Sequence, residues 1–153
     1  MSSAVVFAFA IADGLKPVVG AAPYDVLARQ IPRTLVAQIN GADDRGLRFF
    51  PFIGSVEGER SFLKLSQLLA PKSLLEIHKQ GDVDFLVDGM LHEDHLDWRV
   101  IDGASGDVLM AIELPFTAVD PFTVLPRLAF ELTGRLGWNV ALGAAPELTG
   151  PSM

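Results

Sequence analysis

The chain has 153 residues, a length that suits one domain built on a single core. Half of its residues are apolar and only 20% are charged, which excludes an acidic disordered chain. A net charge of −7 repels phosphate backbones and anionic lipid, which argues against a nucleic-acid partner. The absence of cysteine removes disulfides, thiolate nucleophiles, iron–sulfur clusters and cysteine zinc sites together.

The longest apolar run, Ala4–Ala12 (AVVFAFAIA), is less than half of the ~20 residues a membrane-spanning helix needs. No basic residue opens it as a signal peptide requires. It reads as a strand buried on both faces. A cytoplasmic location is expected ahead of a periplasmic one, although Ala8 and Ala10 give the small-residue pattern of an exported chain. The Gly/Pro-rich stretch 13–23 is a loop, and Pro23 can open a helix over 24–39 with Leu27, Ile31, Leu35 and Ile39 on one stripe. Pro32 lies inside that stripe, so a kink or two shorter helices are expected.

Leu47–Ile53 (LRFFPFI) predicts a second strand that Pro51 pushes to an edge or an early end. Two modest helices follow, over Phe62–Leu69 and from Pro71 to a closing Gly81. Residues 83–114 read as a three-stranded meander. With His92–His95 as its connection, the first hairpin sets Leu91 against Leu96, Gly89 against Trp98, Asp88 against Arg99 and Val87 against Val100. Gly89 would leave room for the indole, and Asp88 and Arg99 would form a cross-strand ion pair. The Gly103–Gly106 turn then matches Val100 with Leu109 and Ile101 with Val108. Asp120 as N-cap and Pro121 open a last helix carrying Phe122, Leu125, Leu128, Leu132 and Leu136, closed by Gly137. Residues 139–153 lack any period and read as a tail or linker. The fold class is α/β, a mixed sheet of about five strands with helices packed on it.

The stretch VDFLVDGMLHEDHLDWRVIDGASGDVLMAIELPF resembles the paired hairpins of the TolB-like amino-terminal domain family. The matching positions are Phe85, Gly89, Leu91, Trp98, Val100, Asp102, Ser105, Gly106 and Val108. The resemblance extends over 4–138 and is specific over 85–110. It implies a single α/β domain over 1–138 without catalysis, of a kind often fused to tetratricopeptide repeats, winged-helix regulators or cyclase domains. The family's apolar-Pro-Phe at the end of the first strand is replaced here by Ala8-Phe9-Ala10. The residues after 138 are too few for a 34-residue repeat.

His92-Glu93-Asp94-His95 places two imidazoles opposite one another at a hairpin end, where a divalent metal such as zinc or nickel could bind. Between 82 and 107, Asp82, Asp84, Asp88, Glu93, Asp94, Asp97, Asp102 and Asp107 face Arg99 alone, an excess equal to the whole net charge. Such a surface suits a basic partner, and it also keeps an exposed sheet soluble. Leu86, Met90, Ile101 and Met110 pattern onto the face opposite Phe85 and Trp98. With Asp88 and Arg99 they make a candidate interaction surface. No phosphate loop, G-x-S-x-G elbow or informative carboxylate pair is present, so neither enzyme activity nor a cofactor is expected. Two functions remain: a module that binds a protein partner or itself, with Trp98, Val100 and Leu109 in its core, or a domain sensing a small ligand or metal in a cleft between helices and sheet edge.

Overall fold

The computed structural model of the chain describes residues 3–40, 47–51, 53–56, 59–62, 65–70, 73–74 and 83–136. The expected tail over 139–153 and the closing glycines 81 and 137 lie outside them. The strands are β1 (Ala4–Phe7), β2 (Ala10–Ile11), β3 (Leu47–Phe50), β4 (Ile53–Val56), β5 (Glu59–Phe62), β6 (Phe85–Leu91), β7 (His95–Asp102) and β8 (Val108–Pro115). Two α-helices, α1 (Tyr24–Asn40) and α2 (Leu125–Leu136), complete the described elements with a 3-10 turn over Pro121–Val124. Six strands form one mixed sheet in the order β3-β1-β6-β7-β8, with β2 also paired to β6, while β4 and β5 form a separate antiparallel ribbon. The pairings among β3, β1, β2 and β6 are parallel, and those of the 85–115 meander are antiparallel.

Both helices pack on one face of the sheet. Leu27, Ile31, Leu35 and Ile39 of α1 meet Leu125, Leu128 and Leu132 of α2 over Val87, Trp98 and Val100. Each of these side chains, taken from water to full burial, stabilises the fold by about 1.5–3 kcal/mol. On the opposite face, among the described residues, Leu65, Leu69 and Leu74 cover Val5, Phe7, Leu86 and Ile101.

Several elements differ from the expectation, each for a local reason. The first strand is not continuous, and α1 is one unbroken helix despite Pro32. These two departures share a cause. Proline has no N–H, so the carbonyl of Ala28, one turn before Pro32, lacks its helical donor. The backbone N–H of Phe9, at the break between β1 and β2, donates to it at 2.9 Å. Phe62 ends a strand, and 65–70 is bends and extended chain rather than helix. Of the expected helix from Pro71, residues 73–74 are helical and the rest lies outside the described residues. The last helix starts as a 3-10 turn in which Asp120 makes no side-chain cap. Instead the Asp120 N–H donates to Thr117 Oγ1, and Thr123 Oγ1 donates to the Asp120 carbonyl.

The β6–β7 register is Leu91↔Leu96, Gly89↔Trp98, Asp88↔Arg99 and Val87↔Val100, as expected. Gly89 is required for a different reason: a Cβ there would meet the Asp97 carbonyl at 2.9 Å and the Phe9 ring at 3.1 Å. In the next hairpin Ile101 pairs with Val108, but Val100 pairs with Met110. Leu109 is thus the extra residue of a bulge, and it is 39% exposed rather than part of the core. The bulge carries Met110, Ile112 and Leu114 onto the helix-covered face.

Candidate functional site

The outer face of β8 and of the His95–Asp97 end of β7 is the more open part of the sheet, with Asp97 38% and Glu113 69% exposed. Strand alternation brings His95, Asp97 and Arg99 of β7 to this face. Asp97 stands directly opposite Glu113 of β8, and His95 opposite Pro115. Two carboxylates facing each other across an antiparallel pair destabilise it unless a cation lies between them.

His92 and His95 close the β6–β7 tip, the His92 N–H donating to the His95 carbonyl at 2.9 Å. Their rings stack with centroids 4.1 Å apart and planes 9° from parallel. His92 Nε2 lies 2.9 Å from Asp97 Oδ2. His95 Nε2 lies 3.8 Å from that same oxygen and 3.9 Å from Glu113 Oε1. On its far side, His95 Nδ1 donates to Asp94 Oδ1 at 2.7 Å. That bond raises the His95 pKa above the ordinary imidazole value, burial opposes the rise, and the charges of Glu113, Asp97 and Asp94 add to it. The same bond holds the Asp94 carboxyl below its usual range. His92, His95 and Asp97 each present one donor atom, all within 4.8 Å of one another, making the metal-ligating cluster found among the described residues.

Asp97 and Glu113 were not singled out from the sequence. The signal was available for Asp97, which follows His95 by the two-residue strand period. Glu113 depended on the β7–β8 register, which the bulge displaces. The other candidate residues separate. Leu86 and Ile101 are fully buried, because the 65–74 segment covers them, so they are not a surface. Met110 lies on the helix-covered side, and Met90 is half-buried. Asp88 and Arg99 do pair. Arg99 donates through Nε and Nη2 to the two Asp88 oxygens and through Nη2 to the Leu69 carbonyl. Burial pushes the Asp88 carboxyl upward and the Arg99 guanidinium opposes it. This pair ties the covering segment to the sheet.

A cleft of about 430 Å³ opens past the end of β2, lined by Ile11, Asp13, Leu15, Tyr24, Asp25 and Leu65 among others. It occupies the crevice outside the carboxyl ends of parallel strands, where open α/β sheets bind ligands. Burial and then the Glu93 charge raise the Tyr24 phenol pKa, which relates this wall of the cleft electrostatically to the β6–β7 tip. Asp13 and Asp25 give the cleft negative charge beside the start of α1, an arrangement unsuited to phosphate.

No family model and no curated protein matches the chain. Among solved structures, the chain is similar to TolB from Acinetobacter baumannii, with a TM-score of 0.47 and 10% identity over 90% of this chain and 29% of that one. It is also similar to a lipoprotein from Neisseria meningitidis, with a TM-score of 0.46 and 12% identity over 92% of this chain and 99% of that one. The chain therefore spans less than a third of the TolB chain.

Proposed function

We propose that this domain is a non-catalytic protein-interaction module of the TolB-like amino-terminal kind, and that it adds an extended basic segment of a partner protein to the edge of β8 that pairs with no described strand. One observation carries the reading. β8 ends the sheet order and runs for eight residues, of which Val108, Leu109, Ala111, Glu113 and Pro115 are exposed. Edge strands are ordinarily kept short or guarded by several charges; this one carries Glu113 alone. Every second residue of an edge strand turns its N–H and C=O outward, ready to bond another strand.

Charge selects the occupant. Asp107 immediately precedes β8, Glu113 lies on it and Asp97 stands opposite Glu113 on β7, and each copy of the chain carries −7. Like charge therefore opposes pairing of two copies, whereas lysine or arginine side chains are drawn in. The family assignment rests on the residue pattern over 85–110.

A ¹⁵N-labelled sample titrated with a hexapeptide of alternating valine and lysine tests this. Shift changes and slowed exchange are expected at the β8 amides, absent with the valine–glutamate peptide and weakened at least severalfold in Ala111→Lys. No β8 response at millimolar peptide, or equal responses to both peptides, overturns the reading.

A further inference from the structure

We propose that His92, His95, Asp97 and Glu113 form a binding site for a divalent cation of the zinc class. The donor atoms are His92 Nε2, His95 Nε2, Asp97 Oδ2 and Glu113 Oε1, with separations of 2.9, 3.8 and 3.9 Å between those measured. A tetrahedral ion with bonds of ~2.0–2.2 Å holds its donors about 3.4 Å apart. The three spacings bracket that value, and His92, His95 and Asp97 present donor atoms all within 4.8 Å of one another; the exposed Glu113 side chain completes the shell by a larger rotation toward them. Two imidazoles and two carboxylates favour zinc, nickel or copper over magnesium or calcium, which take all-oxygen shells.

Two further features point to a cation. Asp97 and Glu113 are cross-strand neighbours, a like-charge pairing that an ion between them converts from cost to gain. Asp94 accepts from His95 Nδ1, which fixes the tautomer that leaves Nε2 to coordinate. This carboxylate–histidine arrangement is the usual support behind a metal-bound imidazole. His92 donates its Nε2 proton to Asp97, because an ionised carboxylate can only accept. On binding, the cation takes that position, the Nε2 proton is lost from that nitrogen to solvent, and the neutral ring carries its single proton on Nδ1 instead. The site joins the β6–β7 tip to β8, and it is independent of the edge-pairing reading because its ligands face the sheet surface rather than the strand edge.

Isothermal titration of the full chain with Zn²⁺, beside Mg²⁺, tests the proposal. One saturable Zn²⁺ site with no Mg²⁺ counterpart is expected, with a Co²⁺ complex showing the visible bands of tetrahedral coordination. His95→Ala should abolish binding, Glu113→Gln weaken it at least tenfold, and Asp94→Asn weaken it about 10–100-fold through the outer shell. Glu113 and Asp94 are exposed, so those two variants keep the fold if His95→Ala does not. Absence of saturable Zn²⁺ binding, or binding unchanged in Glu113→Gln and Asp94→Asn, overturns the site.

Discussion

The two faces of the sheet are built on different principles. On one, α1 and α2 close over Val87, Trp98 and Val100, and all of these are apolar. On the other, a covering segment lies over Val5, Phe7, Leu86 and Ile101, a charged pair is bonded to it, and β8 with the first residues of β7 carries exposed or half-exposed histidines and carboxylates. The packed face supplies stability at close to crystal density. The open face supplies little of it, which frees its residues to be chosen for charge and chemistry. A fold this size can therefore keep reactive groups together without weakening its core.

The largest blow to this contrast should come from Trp98→Ala, which empties the centre of the packed face. A loss of about 3–5 kcal/mol is expected, read from urea unfolding with circular dichroism. A loss under 1 kcal/mol would mean the helix-covered face is not the main source of stability. Asp88→Ala comes next. It leaves Arg99, only 14% exposed, without its partner, at a cost of about 3 kcal/mol. The double variant with Arg99→Met should recover most of that loss, since a buried pair replaced by apolar groups is often neutral. If both variants unfold at the same urea concentration, the pair does not hold the covering segment.

The smallest effect lies at the far end of the meander and follows pH. Ser105 donates to Asp102 through its hydroxyl at 2.6 Å and its N–H at 2.9 Å. The hydroxyl bond and then the N–H bond hold the Asp102 carboxyl below its ordinary range. A depressed folded pKa contributes stability that is complete above the unfolded value near pH 3.9 and fades as pH falls through the folded one. The stability difference between the natural chain and Asp102→Ala should accordingly shrink when unfolding is followed from pH 6 down to pH 2. A difference that stays constant would assign Asp102 no role beyond geometry.

How far each region could be read from sequence follows the range of its contacts. The β6–β7 register was legible because hairpin partners are close in the chain and Gly89, Trp98, Asp88 and Arg99 constrain one another. So were the α1 stripe and Leu125, Leu128 and Leu132 of α2, whereas Phe122 stays 40% exposed in the 3-10 turn. The split of the first strand was not, because it depends on a carbonyl that Pro32 leaves free in α1, outside any local window. The β4–β5 ribbon escaped notice because Gly54 and the charges at Glu59 and Arg60 blur its alternation. Within the candidate site, His92 and His95 were evident as a pair. Glu113 was hidden by the Leu109 bulge, since one inserted residue changes which side chains of β8 share a face with those of β7.

The bond between the Phe9 N–H and the Ala28 carbonyl has a mechanical consequence. It works as an indexing pin between helix and sheet: sliding α1 by a single residue would forfeit the bond and strand a donor beneath the helix. Because Ile11 and Tyr24 line the cleft on either side of that pin, its two walls are carried by elements that cannot shift independently. The part of the opening framed by β2 and α1 is therefore held at a set width, and a molecule entering there meets a mould rather than a hinge.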